Sequence, residues 1–303
     1  MLKNIEIEGD TMLRRLSRGI ILYMLFICIL LVGTSFAESV KKNIIIAVLP
    51  CSDVEMTFKK FHRLITYLEQ QTGFDMEIMV PRDYAEFEWA IKNGDIDFAL
   101  QDPHTYVRLS RLYKRDALIR SLTRGGESSQ RGAIIVRIDS GIKTVKDLRG
   151  KTIMFGPKLS VTKWLAAKEV FKDNGIDIDK DLRAYHNGGC CEDIAFNVYL
   201  KAVDAGVVCD HFFEEHSEDR NELGMDPKQL IVIGRTKSVP TRVFVARKEL
   251  SNGIVTKVNQ ALRRLDRKNP EHVKILYPAE LGGFQNVGDK DYDRIRTLPG
   301  VHR

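Results

Sequence analysis

At 303 residues the chain is long enough for one large or two ordinary domains, and its formal charge of +6 is spread thinly along it. Nucleic-acid binding usually needs a concentrated basic stripe, and none is present. P-loop and dinucleotide fingerprints, internal repeats and low-complexity segments are absent as well.

The N-terminus carries Arg14, Arg15 and Arg18, an apolar run from Ile20 to Val32, and then Ser35-Phe36-Ala37. Basic, apolar and small-x-small regions in that order predict a secretory signal peptide over residues 1–37, cut after Ala37, with Met1 or Met12 as the start. The rival is a retained anchor, because the apolar run with its flanks approaches the roughly 17 residues a spanning helix needs. Ile27 before Cys28 argues against a lipoprotein signal, which wants a small residue there. Removing residues 1–37 takes away four basic and three acidic side chains, which lowers the charge only from +6 to +5. The expected location is the periplasm.

Ile44 to Val48 reads as a buried strand and is followed by a helix with Val54, Phe58, Phe61, Ile65 and Leu68 on one face, then by a strand from Met76 to Val80. This rhythm implies an α/β fold, mostly parallel sheets covered by helices. In such sheets the carboxyl ends of strands and the helix N-termini that follow them form the natural crevice.

Four turns stand at such positions. In Pro50-Cys51-Ser52-Asp53-Val54-Glu55, Ser52 and Glu55 have the spacing of a capping box; Ser52 either only caps the helix or also touches a ligand. In Leu100-Gln101-Asp102-Pro103, Asp102 suits the N-cap and Pro103 the first helical turn. Asp102 is either a plain cap or a cleft carboxylate that attracts an amine or rejects doubly charged anions.

The third turn ends the stretch Ile142 to Leu165. Thr144 starts a short helix, Gly150 ends it, Ile153-Met154-Phe155 makes a brief strand, and Gly156-Pro157 breaks it before a helix near Ser160. Backbone N–H groups with the hydroxyls of Ser160 and Thr162 can then face one point, which suits an oxyanion. Lys158 and Lys163 are candidates for the countercharge. The fourth turn, His186 to Asp193, has Gly188 and Gly189 for close backbone approach and leads into a helix through Cys190 and Cys191.

Cys51, Cys190, Cys191 and Cys209 all sit at strand ends or turns, the last followed by Asp210 and His211. An oxidising compartment favours pairing, for instance Cys190 or Cys191 with Cys209. Free thiols converging on one point would instead suit a soft metal ion or a thiophilic oxyanion such as arsenite. A third reading leaves them unpaired in the pocket wall. No zinc-type spacing is present, and the pairing of Cys191 with His186 or His211 offers no oriented triad, so a thiol-dependent enzyme is the least favoured reading.

The order of these segments, together with Lys-x-x-x-Asp-Leu-Arg-Gly-Lys, Asn93-Gly94-Asp95-Ile96-Asp97, Val203-Asp204-Ala205-Gly206 and Gly283-Phe284, resembles type II periplasmic binding proteins, in particular the phosphonate/phosphite/phosphate-binding branch. The resemblance covers most of residues 43–298. It implies a two-lobed fold with crossings near Ala133–Val136 and Val243–Ala246: lobe 1 from 43–136 and 241–303, lobe 2 from 137–240. It implies a monomeric, non-catalytic protein without cofactor or metal that closes on a small anionic ligand and passes it to an ABC permease or, alternatively, reports it to a membrane sensor kinase. The implied ligand-binding set is Cys51, Ser52, Gln101, Asp102, Ser160, Val161, Thr162, Gly189, Cys190, Cys191 and Asp210. Two departures stand out within it: Val161 replaces a hydroxyl of the branch's Gly-Ser-Thr-Ser cluster, and Cys191 falls where a ligand-contacting His is frequent.

Overall fold

Two sheets organise the protein. The computed structural model describes residues 43–49, 54–215, 224–298 and 300–301; the expected signal segment at 1–37, with Cys51 and Ser52, lies outside them. The first sheet contains β1 (Ile44–Val48), β2 (Met76–Met79), β3 (Phe98–Gln101), β4 (Leu118–Leu122), β12 (Val243–Ala246) and β13 (Gly283–Val287), in the order β13-β4-β12-β3-β1-β2. The second contains β6 (Gly132–Arg137), β7 (Thr152–Phe155), β8 (Ala184–Asn187), β9 (Ala205–Cys209) and β10 (Leu230–Arg235), in the order β10-β6-β9-β7-β8. We call the bodies built on them lobe 1 and lobe 2.

The α/β architecture follows the expectation, but the pairing is mixed. β1 runs parallel to β2 and β3, and β7 runs parallel to β8 and β9. The remaining pairs in both sheets are antiparallel. Strands that follow a passage between lobes enter their sheet from the opposite end to the βαβ strands, so they run against them.

That passage is a two-stranded ribbon, β5 (Ser129–Gln130) paired antiparallel with β11 (Val239–Pro240). Threonines satisfy the backbone around it: Gly132 N donates to Thr236 Oγ1 at 2.8 Å, and Thr241 Oγ1 donates to Ser128 O at 3.1 Å. Ala133–Val136, placed by the sequence reading at the end of lobe 1, instead lies in β6, paired on both sides within the lobe 2 sheet. Its β-branched, fully buried run is what a central strand requires.

Apolar faces decide where the helices lie. α1 (Val54–Thr72) packs Phe61, Leu64 and Leu68 with Val258 and Leu262 of the helix Asn252–Arg264 on one face of the lobe 1 sheet. Val54 and Phe58, expected on that buried face, are exposed, and Thr57 takes the inward position. Rows beginning at 54 and at 57 converge on Phe61, so spacing allowed either phase; the position of the sheet selects one. The opposite face carries α2 (Tyr84–Asn93) and α3 (Pro103–Leu109), with Phe87, Ile91 and Tyr106 inside. In lobe 2, Phe155, Trp164 and Phe171 form an aromatic cluster on one side of the sheet, with ring centroids 5.2–5.3 Å from Phe155. Ile194, Val198 and Phe212 fill the other side.

Candidate functional site

Strand ends from both lobes converge on a cavity of about 300 Å³. Gln101 ends β3, Phe155 ends β7 and Cys209 ends β9, and each is followed by a turn that opens into a helix or faces one. Unpaired N–H groups at helix starts and the loss of strand pairing at the same level leave the crevice rich in donors.

Asp102 is the N-cap of α3, accepting from His104 N at 2.9 Å, as the sequence suggests. The same carboxylate also crosses to lobe 2 and accepts from Val161 N at 3.2 and 3.3 Å. It therefore occupies the helix start that was expected to receive a ligand oxygen. Burial pushes its carboxyl up to about 6, against the pull of the His104 and Val161 amides and of Lys163 and Arg242.

Ser160 caps the turn Val161–Leu165, which continues into α4 (Ala166–Asp173). Its Oγ accepts from Lys163 N at 3.1 Å, so its own hydroxyl hydrogen remains for a ligand. Lys163 is only 5% exposed; it lies across Gly156 and donates from Nζ to Gly189 O at 2.9 Å while facing the cavity. A Cβ on Gly156 would come within 2.5 Å of the Lys163 Cβ, which explains the glycine in this turn. Ser160→Ala is expected to cost about 1 kcal/mol of stability through the lost cap, as well as the ligand contact; urea unfolding beside calorimetry separates the two.

The rest of the expected hydroxyl cradle does not form. Thr162 is buried and accepts from Gln130 Nε2 at 3.0 Å, so it serves the passage between lobes. Val161 is fully buried, and only its N–H reaches the cleft side, where Asp102 takes it. The phase of the turn starting at Ser160 points residues 160 and 163 at the cavity and turns residues 161 and 162 away from it.

The fourth turn behaves similarly. Gly189 donates its N–H to Asp193 Oδ2 at 3.2 Å and gives its carbonyl to Lys163, so it supports the site without lining it. Cys190 caps α5 (Cys191–Tyr199), and both cysteines line the cavity with Cys209. All three are half-buried and none is in a disulfide, so of the readings open from the sequence the pairing of this turn with Cys209 is not the one formed. Instead Cys209 N donates to Cys191 Sγ at 3.1 Å. A hydrogen bond from the Cys209 thiol brings the Cys191 thiol down to about 7, with help from Lys163 and the Cys209 amide and against burial. Burial and the neighbouring Glu192 push Cys190 up to about 12. Among the described residues no three His, Cys, Asp or Glu side chains converge as a metal set. Asp210, expected in the site, faces the passage and accepts from Arg131 N at 3.2 Å; its neighbour His211 lines the cavity instead.

Sequence reasoning missed the lobe 1 floor. Gln101, which it named, is 1% exposed, with Nε2 left without a partner. Beside it Thr105 is fully buried and its Oγ1 is unpartnered too. Arg242 and Glu280 come from the returning segment and also face the cavity. Lys60 pairs with Glu280 and stands 3.8 Å from Glu192, which ties α1 to the start of α5 across the cleft. Burial opposes ionisation of Glu280, but Lys60 and Arg242 outweigh it and hold the carboxyl at about 2. No local pattern marks Arg242 or Glu280, because each gains its place from contacts with residues far away in the chain.

A family model described as the periplasmic substrate-binding protein of phosphonate ABC transporters matches residues 46–292. The phosphate-import protein PhnD of Mycolicibacterium smegmatis is 24% identical over 285 residues, spanning 88% of this chain and 87% of that protein. The fold is similar to that of a binding-protein component of an ABC phosphonate transporter from Pseudomonas aeruginosa, with TM-score 0.72 and 20% identity over 84% of this chain and 85% of that one. It is equally similar to PhnD1 of Prochlorococcus marinus in complex with methylphosphonate, with TM-score 0.72 and 17% identity over 84% of this chain and 96% of that one.

Proposed function

Because the chain belongs to the family of periplasmic substrate-binding proteins of phosphonate ABC transporters, we propose that it captures a small phosphorus oxyanion of the phosphonate or phosphate type between its lobes, outside the cytoplasmic membrane, and delivers it to an ABC permease without chemical change. The observation that carries this reading is the set of donor-bearing residues lining the cavity: Lys163 and Ser160 from lobe 2, and from lobe 1 Gln101 and Thr105, whose Nε2 and Oγ1 are buried without hydrogen-bond partners. A tetrahedral anion with several acceptor oxygens satisfies two buried donors that otherwise lack partners. Arg242 adds a second cation, offset by Glu280 at its side, so the net field suits a small ligand of low charge.

Asp102 sharpens the expected specificity. Its carboxylate already fills one oxyanion position, so a ligand must displace it or lie against its charge. A monoanion meets less repulsion there than a dianion.

The test is a thermal-shift and calorimetric screen of the purified protein with phosphate, phosphite, methylphosphonate and sulfate. A ligand held at 100 times its Kd stabilises the native state by about 2.7 kcal/mol, which is readily seen as a rise in Tm. We expect such a rise with at least one phosphorus oxyanion and a smaller one with sulfate, which is a dianion throughout the neutral range. No shift with any phosphorus oxyanion at millimolar concentration overturns the reading.

A further inference from the structure

Cys191 and Cys209 have no role in holding an oxyanion, yet both line the cavity. Cys209, at the end of β9, directs its N–H at Cys191 Sγ at 3.1 Å, and its thiol hydrogen-bonds to the same sulfur. The two sulfurs are therefore neighbours on one wall. Cys191 is the first residue of α5, where unpaired N–H groups favour a negative atom, and the Lys163 ammonium lies on its cavity side.

We propose that Cys191 and Cys209 form a reactive dithiol in the cleft that exchanges with small disulfide compounds entering the cavity, Cys191 attacking and Cys209 resolving. Cys190 and Cys191, adjacent on this wall, are tuned in opposite directions. Cys191 is drawn toward the thiolate near neutral pH, whereas burial and Glu192 hold its neighbour Cys190 as the thiol. A structural cysteine in apolar surroundings shows the opposite tendency and is inert.

The chemistry balances within the named reactants. The Cys191 thiolate attacks one sulfur of R–S–S–R, a protein–sulfur bond forms, the S–S bond breaks, and one thiolate leaves with the electron pair and takes a proton from water. Cys209 then gives its proton to solvent and attacks Cys191 Sγ, releasing the second thiolate. Two electrons and two protons pass from the protein dithiol to the small disulfide, which leaves as two thiols.

The experiment uses reduced protein and 2-hydroxyethyl disulfide near pH 7, with acid quenching, alkylation and peptide mapping. The expected product is a Cys191–Cys209 link with two molecules of 2-mercaptoethanol released per chain. Cys209→Ser should stop at a mixed disulfide on Cys191. A second measurement does not depend on that variant folding: iodoacetamide should label Cys191 of the native wild-type protein at least about tenfold faster than Cys190, and the difference should vanish in urea. The proposal is overturned if Cys191 and Cys190 react at the same rate in the native protein, or if the disulfide that forms joins Cys190 or Cys51 in place of this pair.

Discussion

Replacing Lys163 by methionine is expected to weaken phosphorus-oxyanion binding by about 1.5–3 kcal/mol, roughly ten- to 150-fold in Kd at neutral pH. Methionine keeps much of the buried stem that lies across Gly156 but removes the cation that faces the cavity. The lost interaction is charge-assisted and largely shielded from water, where such bonds count most. Gly189 O also loses its donor, so a stability cost of about 1 kcal/mol accompanies the change. Calorimetry reads the affinity and urea unfolding reads the stability. Reduced stability with unchanged Kd would confine Lys163 to holding the Gly189 turn. Removing the ammonium should also raise the Cys191 thiol, which slows its alkylation in the same variant.

Replacing Asp102 by asparagine is expected to tighten anion binding by about tenfold at pH 7.5. The ionised carboxylate sits against Val161 N, where an oxyanion would otherwise draw on the helix start, and like charges a few ångströms apart repel by a few kcal/mol at an effective dielectric of about 20. The pH dependence has a definite sign. Burial raises this carboxyl from 3.8 to about 6 in the folded protein, so the folded state holds the proton more tightly than the unfolded chain. Stability from this group is complete below about pH 4, declines as pH rises through about 6, and changes little above that, a loss of about 1–3 kcal/mol. Ligand affinity should fall over the rising limb of the same titration, because the neutral acid repels no anion. Both slopes should flatten in Asp102→Asn; titration of the ligand itself is common to the two proteins and cancels in the ratio of their Kd values. Weaker binding by the variant at pH 7.5 would instead make Asp102 an acceptor for a ligand hydroxyl and overturn the repulsion argument.

These two residues also mark how far the sequence could be read. The α/β class, the strand at Ile44–Val48, the cap at Asp102 and the helix start at Ser160 are set by local chemistry: β-branched runs, an Asp-Pro pair, and a Gly-Pro break before a hydroxyl. All of these are visible within a few residues. The direction of Thr162 was not, because residues 160 to 163 cover most of a helical turn and only the position of Gln130 decides which of them faces inward. Asp102 was legible as a cap and illegible as a contact to Val161, 59 residues away. The floor of the site was hidden for the same reason. Thr105 sits in the first turn of an ordinary helix, while Arg242 and Glu280 arrive on the returning chain, and nothing near them in sequence announces a cavity. Cys190, Cys191 and Cys209 were legible as a cluster, but which of the open readings applies was not: whether sulfur meets sulfur or N–H depends on the packing of α5 against β9.

The ribbon of β5 and β11 has a mechanical consequence. Two short strands lying side by side act like a door hung on two pins, and such a door swings about the line through the pins while resisting twist and sliding. A swing about that line would be a single angular coordinate, so one distance measured across the cleft mouth would report it. Each pin is only two residues long, and the chain on either side of β5 is held at Gly132 by Thr236 and at Ser128 by Thr241, so such a swing would be absorbed at the ribbon's ends and leave both sheets intact. The same layout places both pins in the path of the polypeptide, so lobe 2 is one unbroken piece of chain between them while lobe 1 is assembled from two separate pieces.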